Sequence, residues 1–160
     1  MENKIVKFAD VKRWSNKQSV KKAVLKCLEQ GQISGGKICA DLERKVLKKF
    51  DYNFFSTTSS GTASLHLALL SLNIGRNHYV AVPDLTFVST ASSVLMVGAK
   101  PLLIDVEKDG NINLTSLEMA CKEFEVKVVV AVHLYGNPCD LIELQRLSKK
   151  YNFIIIEDCA

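Results

Sequence analysis

The stretch Asn53-Phe54-Phe55-Ser56-Thr57-Thr58-Ser59-Ser60-Gly61-Thr62-Ala63-Ser64-Leu65 is where the chain changes character. An apolar, strand-like run (Asn53 to Ser56) meets a small, hydroxyl-rich turn (Thr58 to Ala63), and an apolar helix is predicted from Thr62 to Leu72. Small residues let the backbone of such a turn approach a ligand. The first N–H groups of the helix point out of it, with the positive end of the helix dipole behind them. Two readings are open: a seat for a phosphate, or an ordinary N-cap, since Ser, Thr and Gly are also what a helix start prefers.

Downstream the same alternation continues. Apolar runs at Tyr79 to Pro83, Pro101 to Val106, Val126 to Val132 and Phe153 to Asp158 are separated by predicted helices at Ser89 to Val97, Ser116 to Phe124 and Leu141 to Tyr151. The runs are apolar on successive residues, as in strands covered on both faces. Two helices begin with capping-box patterns, Thr115 with Glu118 and Asp140 with Glu143. The fold class read from this is α/β, a mainly parallel sheet with helices on both faces. Upstream, Gln18 to Gln30 reads as an amphipathic helix with Gly31 after its end. The glycine-rich loop Gly31 to Lys37 follows, and then a second amphipathic helix along Cys39, Leu42, Val46, Leu47 and Phe50. Residues 1–50 thus read as a helical segment with its loop, and 51–160 as the sheet-bearing part.

Composition narrows the class. At 160 residues and 48% hydrophobic, the chain has the size and apolar content of one domain. No apolar run reaches the roughly 18 to 20 residues that cross a bilayer, and no signal-peptide core follows Met1-Glu2-Asn3-Lys4. A cytoplasmic protein is expected, without a membrane or nucleic-acid partner. Residues 1–50 hold 13 Lys and Arg against 5 Asp and Glu, so a net +4 overall leaves the remainder negative. That basic segment reads as solvated helix surface or as a lure for an anionic ligand. Five scattered cysteines, none in a Cys-x-x-Cys pair, indicate neither a disulfide framework nor a zinc site.

In an open α/β sheet, ligands bind beyond the carboxyl ends of the strands. That edge would collect Ser60-Gly61-Thr62, Pro83-Asp84-Leu85-Thr86-Phe87, His133-Leu134-Tyr135-Gly136 and Glu157-Asp158. Neither Gly-x-Gly-x-x-Gly nor Gly-x-x-x-x-Gly-Lys-Ser/Thr occurs, which argues against dinucleotide and triphosphate sites. A phosphorylated aromatic cofactor suits the set better: phosphate on the helix N-terminus, Phe87 on the ring, Asp158 on a protonated ring nitrogen. Pyridoxal phosphate needs that last contact, because a protonated pyridine is its electron sink. Each residue also has a plainer reading. Phe87 can be core, Asp158 a helix cap or a buried acid, and His133 a side chain satisfying a backbone carbonyl; Thr86 stands with His133 at the site edge. His66 and His78 are given no role.

Gly31-Gln32-Ile33-Ser34-Gly35-Gly36 with Asp41-Leu42-Glu43, Ser60 to Leu65, Pro83 to Phe87, Val97-Gly98-Ala99-Lys100-Pro101, Val132 to Gly136 and Ile156-Glu157-Asp158-Cys159-Ala160 together resemble the DegT/DnrJ/EryC1/StrS family. The resemblance implies pyridoxal-phosphate-dependent sugar aminotransferases of the aspartate aminotransferase fold type. It implies phosphate contacts around Ser60, Gly61, Thr62 and Ala63, through the amides of Thr62 and Ala63, with Phe87 stacking and Asp158 on the ring nitrogen. It also implies a nucleotide-linked keto sugar as acceptor, glutamate as a common donor, homodimers, and roles in lipopolysaccharide or antibiotic pathways. The family's Schiff-base lysine and phosphate-binding serine follow the Asp-x-Ala stretch, beyond Ala160. The chain is therefore expected to be the first part of the large domain, without a catalytic residue of its own; Lys37 is the only lysine near the expected site. Two alternatives stay open: a dehydratase of the same family, with histidine in place of the lysine, and a non-catalytic binding module.

Overall fold

The computed structural model describes residues 17–31 and 34–160. The expectations for Met1 to Lys4, and for Gln32 and Ile33 of the glycine-rich loop, lie outside these. The chain divides into two compact units after Thr57.

In the first unit, α1 (Gln18–Glu29) and α2 (Lys37–Phe50) match the amphipathic patterns. Gly31 follows the C-cap Gln30 at φ +65 and donates its N–H to the Leu28 carbonyl at 3.0 Å, the left-handed ending that favours glycine. Glu43 of α2 accepts from the Thr57 N–H (2.9 Å) and hydroxyl (2.8 Å), and these bonds hold its carboxyl below the ordinary glutamate value. Asn53 to Ser56 is not a strand, which corrects the sequence reading. β propensity alone does not make one: a strand exists through a ladder partner, and this run has none among the described residues.

The second unit runs α3 (Gly61–Ser71), β1 (Tyr79–Pro83), α4 (Ser89–Met96), β2 (Lys100–Ile104), α5 (Leu114–Glu123), β3 (Val126–Val132), a 3-10 turn (Leu134–Gly136), α6 (Leu141–Tyr151) and β4 (Ile154–Asp158). The four strands form one parallel sheet in the order β2-β1-β3-β4, the α/β class expected. Successive apolar residues serve opposite faces. Val80, Val82, Val128, Val130 and Val132 pack with Leu65 and Leu69 of α3 and Val94 of α4, whereas Ala81, Val129 and Ala131 pack with Leu117 of α5 and Leu144 and Leu147 of α6. Each fully buried Val or Leu stabilises the unit by about 1.5 to 3 kcal/mol. No helix among the described residues is long and apolar enough to cross a membrane.

Helix starts show where pattern reading succeeded. Asp140 caps α6, its carboxylate accepting from the Glu143 N–H at 3.0 Å, while the Glu143 side chain turns to Arg146 instead of closing the box. For α5 the cap is Asn113, whose side chain accepts from the Ser116 N–H at 2.8 Å, and not Thr115. Asn113 wins because Leu114 and Thr115 are already helical, which leaves Thr115 nothing to cap. Asn113→Ala is therefore expected to cost about 1 kcal/mol and Thr115→Ala under about 0.5 kcal/mol, read by urea denaturation. Glu118 then ties α5 to α6, accepting from Lys150 Nζ (2.6 Å) and the Tyr151 hydroxyl (3.0 Å), which hold its carboxyl below the ordinary value.

Candidate functional site

The eleven residues of α3 span about 16 Å, the rise of a five-residue strand. The helix ends in the short link Leu72 to His78 that feeds the amino end of β1, so its first turn lies toward the carboxyl edge of the sheet. There Ser60 is the N-cap, and its Oγ accepts from the Ala63 N–H at 3.1 Å. Thr58 Oγ1 donates to the Ser60 carbonyl (3.1 Å) and lies 2.6 Å from Ser64 Oγ, which donates to the same carbonyl (3.2 Å). The cap reading of the stretch holds. The cap is made, and it takes the Ala63 amide, while the N–H groups of Gly61 and Thr62 have no intrahelical acceptor. A Cβ built on Gly61 would meet nothing within 4 Å, so the approach to those amides is open.

Beyond β1, Pro83 is buried and the backbone turns outward, with the Asp84 N–H donating to Ile104 O at 2.9 Å. Phe87 is 73% exposed, so it is not a core ring. Thr86 pairs its hydroxyl with that of buried Thr90 at 3.0 Å, which pins the loop to the start of α4. At the end of β4, Asp158 is half-buried and spends one carboxylate oxygen on the Ala160 N–H at 3.2 Å. Strand register pairs Asp158 with Val132, whose side chain lies in the α3–α4 core, so Asp158 belongs to the same sheet face as α3 and α4.

His133 goes elsewhere. Its Nδ1 accepts from the Cys139 N–H at 3.0 Å and its Nε2 lies 3.1 Å from Glu157 Oε2. A ring nitrogen that accepts carries no proton, so the ring is neutral and Nε2–H donates to the carboxylate. The backbone partner is an amide and not the carbonyl anticipated from the sequence. Cys139 packs in the α5–α6 core, and Glu157 pairs with Ala131 of that core, which places His133 on the face opposite Asp158. The β3–β4 register brings Glu157 to His133, and the turn Leu134–Gly136 brings Cys139 back to it; no motif in the sequence signals either partner. His133, Glu157 and Cys159 also present ligand atoms within 4.8 Å of one another. The proton on Nε2 occupies the lone pair a metal would need, and Glu157 and Asp158 beside Cys159, with burial first, push its thiol up and away from the thiolate form.

Of the six lysines in 58–160, Lys100 and Lys127 sit at the amino ends of β2 and β3, and Lys122, Lys149 and Lys150 close α5 and α6. Those positions are the sheet edge opposite α3's first turn; Lys108 lies in the β2–α5 loop. A cleft of about 380 Å³ opens there, lined by Glu107, Asp109, Asn111, Thr115 and Asp140. Its Ile112 and Cys139 belong to the α5–α6 core, so it lies on the other face from α3. Two of its three carboxylates are engaged internally: Asp109 accepts from Asn111 and Asn137, and Asp140 caps α6.

The model of the DegT/DnrJ/EryC1/StrS aminotransferase family matches residues 15–160. GDP-perosamine synthase of Escherichia coli O157:H7 is 34% identical over 142 residues, covering 88% of this chain and 39% of its own length. The aminotransferase from Psychrobacter cryohalolentis superposes with a TM-score of 0.82 at 34% identity, over 90% of this chain and 37% of that one. The PLP-form of the sugar aminotransferase Spr1654 from Streptococcus pneumoniae gives 0.80 at 29% identity, over 88% and 40%. The chain thus spans about two fifths of the length of the curated relatives it matches.

Proposed function

The chain belongs to the DegT/DnrJ/EryC1/StrS aminotransferase family, and from that premise we propose that residues 58–160 supply the phosphate seat and ring contacts for pyridoxal phosphate in an enzyme that aminates a nucleotide-linked keto sugar, with glutamate as donor. The observation that carries the reading is the first turn of α3, where Gly61 and Thr62 offer unpaired N–H groups, on the sheet face that also presents Asp158.

The donor set fits this cofactor. A phosphate wants N–H groups and hydroxyls without a neighbouring carboxylate, which Ser60, Gly61 and Thr62 provide. A protonated pyridine wants one carboxylate oxygen, and Asp158 has one engaged by Ala160 and a second without a partner among the described residues. When bound, the cofactor supplies an electron sink for a carbanion formed on the donor or the sugar. The chain's own residues then divide the work. Gly61 and Thr62 anchor the phosphate, and the Ser60 hydroxyl can turn from the Ala63 amide toward it. Phe87 covers one face of the ring and excludes water there, and Asp158 holds the proton on the ring nitrogen. The amine that would take a proton from the substrate carbon while uncharged, and return it as an ammonium, is assigned to none of the lysines placed above. A cytoplasmic homodimer follows the family pattern and remains part of the proposal.

Titrating the purified full-length protein with pyridoxal phosphate tests this. Saturable binding is expected, competed by free phosphate, with Phe87→Ala weakening it about 10-fold for the lost stacking area at an unchanged melting temperature. Binding untouched by both phosphate and Phe87→Ala would contradict the proposed seat.

A further inference from the structure

We propose that His133 is a positioning residue that fixes the end of β4, and with it Asp158, from the opposite face of the sheet; this rests on reading Asp158 as the partner of the ring nitrogen. Three hydrogen bonds make the bracket. The His133 N–H donates to the Asp158 carbonyl at 3.0 Å, Nε2–H donates to Glu157 Oε2 at 3.1 Å, and Nδ1 accepts from the Cys139 N–H at 3.0 Å. The far end of the bracket is anchored in turn: Cys139 is buried, and its thiol donates to the Val132 carbonyl at 3.3 Å. The imidazole is only 11% exposed.

This arrangement answers a mechanical problem at Asp158. β4 has one ladder neighbour among the described residues, and Asp158 is its last residue, the position where strands fray. Among the described residues the Asp158 side chain makes a single hydrogen bond, to the amide two residues on, so its direction is set by its backbone. The His133 main-chain N–H holds that backbone at the Asp158 carbonyl, as any residue there would, and the imidazole adds a second hold at the side chain of the preceding residue. Since Glu157 and Asp158 point to opposite faces, the imidazole holds Glu157 from the other side of the sheet, without touching the Asp158 side chain. The imidazole therefore acts through the strand.

The test uses the full-length protein with pyridoxal phosphate, and the variants His133→Ala, His133→Gln, Glu157→Ala and Asp158→Asn. His133→Ala is expected to weaken cofactor binding about 10-fold and to reduce the absorbance of the protonated ring. His133→Gln, which keeps a donor for Glu157, should recover at least half of both. Glu157→Ala changes an exposed residue and serves should His133→Ala fail to fold; it is expected to weaken binding about 3-fold. In an Asp158→Asn background, His133→Ala should add no further loss. In the cofactor-free protein, imidazole nitrogen shifts should show Nε2 protonated and Nδ1 bare at neutral pH. If Asp158→Asn alters binding and spectrum while His133→Ala and Glu157→Ala lower only the melting temperature, the inference fails and the site reading survives. If Asp158→Asn alters neither, both fail.

Discussion

Ser60→Asp is expected to leave the melting temperature of the full-length protein within about 2 °C of the parent, while weakening pyridoxal phosphate binding at least about 30-fold. Aspartate is as good an N-cap as serine and complements the helix dipole, so the bond now made from the Ala63 N–H to Ser60 Oγ persists with a carboxylate oxygen. The same carboxylate stands beside the Gly61 and Thr62 amides that would receive a phosphate dianion. Unit charges about 4 Å apart in a surface-like dielectric interact by about 4 kcal/mol. Solvent exposure of Ser60 and Gly61 calls for a heavy discount. A quarter of that value on each of two phosphate charges still gives about 2 kcal/mol. The substitution therefore separates the two readings of the stretch: an ordinary cap predicts no change in binding, and a seat predicts the loss. Ser60→Asn is the matched control, since it caps without the charge.

Asp158→Asn is expected to lower kcat by about 10³-fold, with cofactor affinity falling only about 10-fold. Affinity loses one charge-assisted hydrogen bond, worth about 1.5 kcal/mol in a half-buried site. The rate loses more, because an amide does not hold a proton on the ring nitrogen, and the electron sink depends on that proton. Losses from removing one aimed electrostatic contact run to about 4 kcal/mol, or roughly 10³-fold. With the proposed donor glutamate, stopped-flow measurement of the first half-reaction, before the proposed sugar is added, assigns the loss to the ring and not to sugar binding. Equal falls in affinity and rate would point to a structural role for Asp158.

Much of the fold was legible because burial on both faces leaves a local mark. Tyr79 to Pro83 and Val126 to Val132 are apolar on consecutive residues, and both strands begin and end as read. Leu141 to Tyr151 was equally clear, with Asp140 capping one end and Asn152 taking φ 57 at the other. Asn53 to Ser56 misled because its composition suits a strand while strand identity is a property of pairs. Thr115 misled because Thr-x-x-Glu fits a capping box wherever it falls, and the cap is Asn113, two residues earlier.

That the candidate residues share one sheet edge was legible, and which side of the sheet each takes was not. Strand ends place Phe87, His133 and Asp158 at one edge, as the alternation of elements implied. Which face each side chain takes depends on register, and the pairing of Val132 with Asp158 and Ala131 with Glu157 sends His133 away from the others. The Ser60 bond to the Ala63 amide was likewise foreseen only as one of two readings. Its consequence, that Gly61 and Thr62 carry the open amides, needed the geometry.

Backbone amide shifts of Gly61 and Thr62 on addition of pyridoxal phosphate give the most direct measurement of the phosphate seat. Both resonances should move downfield in step with cofactor binding, further than those of the well-packed Leu117 and Leu144, and inorganic phosphate alone should move them the same way at higher concentration. Saturable cofactor binding with the Gly61 and Thr62 amides unmoved would contradict the placement of the phosphate at the start of α3.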